Sequence, residues 1–345
     1  MSAPAAALPC PRPHARARRR RTVGVICASA LLSLVALVLT VGLGEFPVAP
    51  GDVVLALLGQ GEASSSFVVT ELRLPRALVA FGVGAGLAAS GVILQGLTRN
   101  ALAAPELVGV SAGAHAAAVI VIVVFPGLPV GFLPICAFAG ALGSSALVYA
   151  LAWRGGTSSS RLLLIGVAIT TLAYSIVLGV ISSLDDLIHA SQLVTFMAGT
   201  VYGRGWPELA ALAPWLALLL PLAFLAARDL DALVLGDETA GALGVRIERT
   251  RLWLVATAAG LAGVAVAVAG PVGFVGLMAP HAARRLVGGA HVAVLATAVM
   301  LGGCLVLVAD AIARTAFAPI DIPVGVLTAI VGAPYLVWLL AGRRR

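Results

Sequence analysis

The chain contains no lysine: all 22 basic residues among its 345 are arginine. A Walker A phosphate loop needs its lysine, so this chain does not hold ATP in that way. Imine chemistry on a lysine amine is excluded as well. Charge of either sign is scarce, at 11% of residues, where a soluble chain carries about 25%. Cysteine is scarce too. Cys10, Cys27, Cys136 and Cys304 lack metal-ligand spacing, and three of them fall in apolar stretches, where cysteine acts as a small hydrophobe. No disulfide, metal site or cofactor is expected. Short alternating strands of the kind that build β-barrels are also missing.

In place of charge there is apolar surface, with 61% hydrophobic residues and a mean hydropathy of +1.07. One apolar run follows another, which is the pattern of an all-α polytopic membrane protein. Ten spans are expected, at 23–43, 77–97, 107–125, 130–152, 161–183, 208–227, 252–269, 272–288, 292–312 and 322–341. The basic, Pro- and Ala-rich segment 1–22 is expected to be disordered. The run from Thr22 to Gly44 is too long for a signal-peptide core and lacks a small-residue cleavage site, so it reads as a retained first span. Residues 23–342 then form a single transmembrane domain.

Arginine placement gives the orientation, because positive charge collects on the cytoplasmic side. With both termini inside, eighteen arginines fall in cytoplasmic segments and four outside: Arg73, Arg76, Arg204 and Arg314. The outer loops are otherwise acidic, with Glu45, Asp52, Glu62, Glu71, Asp185 and Asp186. The net charge of +7 therefore marks topology and does not point to nucleic acid. Arg73 and Arg76 break the pattern. Pro75 suits the first position of a helix, which would set Arg76 in a first turn where the dipole disfavours a cation. Two readings stand open: anchors at lipid phosphates, or a docking patch for an acidic partner that Arg314 could join. For Arg314 a simple pairing with Asp310, four residues earlier, is the plainer reading, and Arg204 beside Trp206 reads as an interfacial anchor.

The densely charged cytoplasmic loop 228–251 reads as a short helix, a break at Gly236, a second short helix capped by Asp237, and a stop at Gly244. Apolar Leu233, Leu235, Ala240, Leu243 and Val245 punctuate it. A short helix pair with an apolar face, held outside the membrane, suits insertion into a groove on a cytosolic partner. In the fifth span Thr171, Ser175, Gly179 and Ser182 share one helix face, which fits either tight helix packing or a pathway lining. Gly325, Thr328 and Gly332 repeat the spacing in the tenth. The small residues of 82–91 serve close helix packing. The stretch 268–289 is expected to break at Gly270–Pro271 and again at Pro280. Gly109–Gly113 matches the G-x-S-x-G nucleophile elbow, but that elbow needs a strand before Ser111, and the context is helical. A proton- or ion-coupled transporter would want acidic or histidine residues inside the spans; apart from edge residues such as Asp310, the interiors hold essentially none.

Several long stretches, in order, carry a resemblance: "LRLPRALVAFGVGAGLAASGVILQGLTRNALAAPELVGVSAGA", "LVLGDETAGALGV", "GPVGFVGLMAPHAARRLVG" and "LVADAIARTAFAPIDIPVGVLTAIVGAPYLVWLL". Together they resemble the FecCD-type permeases of ATP-binding-cassette importers for ferric siderophores, haem or cobalamin, over essentially everything from residue 23. Two departures are visible: Ala101 stands where proline is common, and Asp321 where glutamate is. The resemblance implies a second permease subunit, two cytoplasmic ATPases, and an extracytoplasmic binding protein. It implies that Arg73, Arg76 and Arg314 meet acidic residues of that binding protein. It also implies that Leu235, Gly236, Asp237, Glu238, Ala240, Leu243 and Gly244 meet the ATPase. The pathway would then involve the fifth and tenth spans, with Thr171, Ser175, Gly179, Ser182 and Thr328.

Overall fold

The computed structural model describes residues 12–44, 48–125, 128, 132–153, 159–184, 187–316, 318 and 321–341. Among these there are helices and no strands. In chain order they are α1 (Arg12–Gly42), α2 (Pro50–Leu57), α3 (Ala63–Phe67), α4 (Leu74–Thr98), α5 (Val110–Val119), α6 (Phe132–Ala152), α7 (Ser159–Ser182), α8 (Leu187–Ala198), α9 (Trp206–Leu225), α10 (Ala227–Val234), α11 (Asp237–Ala242), α12 (Ile247–Ala269), α13 (Val275–Val287), α14 (His291–Thr315) and α15 (Val324–Ala341). Seven stretches are long and apolar enough to cross a membrane: Arg19–Gly42, Ala63–Thr98, Phe132–Ala152, Ser160–Ser182, Trp206–Leu225, Ile247–Ala269 and His291–Thr315.

Two helices form the axis of the bundle. α4 and α12 are buried on nearly every side, whereas α1, α7 and α9 leave most of their surface open. α4 packs on α14, α12, α13 and α9. Lipid tails are as apolar as leucine, so these contacts are favoured by close approach rather than by escape from water. The sequence supplies that approach with glycine. A Cβ on Gly84 would overlap the Gly302 carbonyl, and one on Gly91 would overlap that of Gly276. Ser90 adds a cross-link, its hydroxyl donating to the Ala258 carbonyl at 2.7 Å.

Five local expectations are revised. Helix α1 begins at Arg12, inside the stretch expected to be disordered; the arginines there are good helix formers and extend the span outward. α4 does not start afresh at Pro75. Widened π turns over Val68–Arg73 join α3 to α4 in one helical run, and such turns absorb a proline that a regular ladder would not. Arg76 therefore lies inside a helix rather than at an N-terminus. Pro280 does not break α13. The carbonyl it leaves without an N–H partner, that of Gly276, faces the Gln95 amide at 3.4 Å instead. Asp237 is the first residue of α11, while Gly236 is its N-cap. Finally, α8 lies in a region expected to be loop. Residues 1–11, Glu45, Arg154, Asp185, Asp186, Arg343, Arg344 and Arg345 lie outside the described residues.

Candidate functional site

The charged loop 228–251 folds as a hook fastened to the bundle. Gly236 takes φ 116° and Gly244 φ 87°, conformations that side chains rarely adopt, so α10 and α11 can turn back on themselves. The fastening is polar. Arg99 closes α4 in the left-handed conformation, at φ 52°, where glycine is usual. Its guanidinium donates to the Leu233 carbonyl at the end of α10, at 2.6 and 2.9 Å, and to the Asp237 carboxylate at 2.5 Å. Arg251 of α12 reaches the same carboxylate at 2.9 Å and Glu248 at 3.3 Å. Partial burial pushes the Asp237 carboxyl upward, but Arg99 and Arg251 outweigh it and hold the group below its usual range. On the far side of α10, Asp231 accepts the His291 backbone N–H at 3.0 Å, satisfying a first-turn donor of α14.

The expected contact residues of the hook divide. Leu235 and Leu243 point outward, 65% and 64% exposed, and Glu238 and Gly244 are exposed beside them. Ala240 is buried against the bundle, and Asp237 is held in the arginine network. Two exposed apolar side chains on a braced turn suit a complementary groove.

At the opposite end of α4, about 37 Å away for 25 residues at 1.5 Å each, the three expected arginines come together. None of them projects freely. Arg73 is buried and donates to the Val41 and Gly42 carbonyls at 3.1 Å, capping the end of α1. Arg314 donates to the Thr40 carbonyl of the same helix end. Arg76 lies between two carboxylates, Asp310 at 2.7 Å and Asp321 at 3.0 Å. The side chains of Arg76, Asp310 and Asp321 are 13%, 1% and 19% exposed. Tyr202 covers the Arg76 guanidinium at 5.6 Å. Asp310 thus serves Arg76 rather than Arg314, its neighbour on α14. Arg204 stands 4.0 Å from Glu208.

The pathway candidates also divide. Thr171, Ser175, Gly179 and Ser182 lie on an exposed face of α7. Among the described residues their hydroxyls bond only to their own helix, as Thr171 does to Val167 at 2.9 Å, and none of those residues lies within 4 Å of a Cβ on Gly179. Among the described residues that face is not helix-packing surface. Thr328 is different: it is buried, and its hydroxyl donates to Gly325 in its own helix. Ser111 lies buried in helix α5, with no strand before it.

Sequence reasoning missed the roles of Arg99, Asp231, Arg251, Gln95 and Asp321. For Asp310 the signal was present, because an acid within an apolar helix needs a cation. Its cation is Arg76, across the bundle, and not Arg314, the nearest arginine in sequence.

A helical bundle of span-length apolar helices, with a braced polar hook at one end, defines a multi-pass membrane protein. The profile of the FecCD transport family matches residues 31–342, and the chain belongs to that family. It is 39% identical over 323 residues to the Fe(3+)-citrate import system permease protein YfmE of Bacillus subtilis (strain 168), covering 94% of this chain and 96% of that one. It is 40% identical over 284 residues to the hemin transport system permease protein HmuU of Yersinia pestis, covering 79% and 83%. Among solved structures, a metal-chelate type ABC transporter in an inward-facing conformation superposes with a TM-score of 0.83. The sequences are 29% identical, and the match covers 93% of this chain and 99% of that one.

Proposed function

We propose that the chain is one of two permease subunits of an ATP-driven importer in a bacterial inner membrane, carrying a ferric chelate of the siderophore class. The supporting observation is the α4 strut: the hook, with Leu235 and Leu243 exposed, is fastened to one end, and the arginine–aspartate cluster sits at the other. Permeases for ferric citrate and hemin among its relatives favour a chelated iron cargo. In this reading ten segments cross the bilayer, the seven long ones together with Val110–Val124, Val275–Val287 and Val324–Leu339. Both termini are cytoplasmic, and a cytosolic ATPase seats on the hook. Closure of the ATPase pair on ATP moves the hook. Arg99 and Arg251 carry that displacement into α4 and α12, and the route between the two permeases changes the side to which it opens. The exposed hydroxyl face of α7 lines that route, weakly polar and uncharged, as a bulky chelate requires.

The outer cluster is the seat of the extracytoplasmic binding protein. Arg76 is saturated by two carboxylates, whereas Arg314 bonds a neutral carbonyl. Arg314 is therefore the group that receives an acidic residue of the partner. Uptake of radiolabelled ferric citrate, ferric hydroxamate, ferric enterobactin and hemin, in cells lacking their own systems, tests the whole reading. Import of one chelate that stops when the ATPase is inactivated supports it. Import that continues without ATP hydrolysis refutes it.

A further inference from the structure

A groove of about 550 Å³ opens beside the hook, between the end of α9 and the start of α12. Its apolar lining, Leu222, Leu225 and Trp253, is exposed on the surface of the bundle. Its mouth carries Arg246 and Arg249, both exposed and neither in an ion pair among the described residues. The first turn of α12 opens on the same mouth. Its N-cap makes no side-chain hydrogen bond, so the first backbone N–H groups, at the positive end of the helix dipole, are left without a side-chain acceptor beside the groove. The acid of that turn, Glu248, is turned toward Arg251. Asp229 is the carboxylate of the lining, leaving the mouth positive by one charge.

Distance along the helix separates the two chemistries. Trp253 lies seven residues beyond Arg246, about 10 Å further along the helix. Cationic groups above an apolar slot at a helix end, with tryptophan at the interface, match a phosphate headgroup above acyl chains. We propose that the groove binds an anionic phospholipid, with its phosphate on Arg246, Arg249 and the α12 N-terminus and a chain along Leu222, Leu225 and Trp253. Leu243 and Gly244 of the hook form part of the same wall, so the lipid braces the turn that ends the hook. The site goes beyond transport and needs only a bilayer.

The test reconstitutes the full chain in bilayers holding brominated phosphatidylglycerol or brominated phosphatidylcholine. Quenching of Trp253 is read as the difference between wild type and Trp253→Phe. Two surface arginines, partly offset by Asp229, give the anionic lipid a roughly fivefold preference. Arg246→Gln with Arg249→Gln abolishes the preference, and the double lysine variant retains most of it, which separates loss of charge from misfolding. Excess inorganic phosphate leaves the quenching in place if the chain is part of the ligand; displacement by phosphate alone would reduce the site to an anion pocket and overturn the proposal. Equal quenching by the two lipids, or a preference that survives the glutamine variant, would also overturn it. So would loss of quenching when the partner ATPase binds, since the groove would then be protein interface. None of these readouts depends on transport.

Discussion

Replacement of Arg76 by glutamine removes the cation from a carboxylate pair of unequal burial. Asp310 is 1% exposed and Asp321 19%, so the loss falls mainly on Asp310. Removing one partner of a buried ion pair costs about 3–5 kcal/mol, because the remaining charge is left without compensation. Arg76→Gln should therefore destabilise the chain by about that amount. Asp321→Asn should cost less, about 1–2 kcal/mol, because Asp310 still holds the guanidinium and the site is wetter. Asp310→Asn combined with Arg76→Gln should cost less than the sum of the single changes, with a coupling of roughly 1–3 kcal/mol. Stability would be followed in mixed detergent by labelling of Cys304, which is buried in the fold and becomes reactive on unfolding. Strict additivity in the cycle, or an Arg76→Gln cost no larger than that of Asp321→Asn, would refute the reasoning.

Three further outcomes follow from other parts of the bundle. Gly84→Leu should prevent α4 from seating on Gly302 and abolish folded protein, while Gly179→Ala, on an open face, should leave stability unchanged; yield and monodispersity in detergent report both. Gln95→Leu strips the amide that faces the Gly276 carbonyl and the acceptor that Arg284 uses, and should cost about 1–3 kcal/mol in the same unfolding assay. The Asp237 carboxyl is held below the ordinary value of 3.8. Its contribution is complete above that value and is lost as pH falls through the folded-state pKa, so Asp237→Asn should lower stability by a constant amount near neutrality and flatten the acid limb below about pH 4.

Much of the architecture was legible because the membrane leaves few choices. Backbone polar groups must be paired within each segment, so apolar runs become helices, and the small-residue face of 82–91 foretells the contact of Gly84 with Gly302. The two glycines of the hook were legible for a local reason, since Gly236 and Gly244 mark positive φ. Side-chain partnership was not legible. Arg76 is joined to Asp310 across 234 positions and Arg99 to Asp237 across 138, and no spacing rule reaches so far. The run through Pro75 was hidden for another reason: π turns leave no mark in hydrophobic periodicity. For the same reason, the inward turn of the three arginines shows only once α1 is seen to end beside them.

The account rests on α4 linking a hook on one side of the bilayer to an arginine cluster on the other. The most direct measurement places single cysteines at Leu72 and Leu235, both exposed, in a cysteine-free background, and labels them with a membrane-impermeant maleimide in intact cells and in inverted vesicles. The account predicts that position 72 is labelled from outside the cell and position 235 only in inverted vesicles. Labelling of both positions from the same side would contradict it.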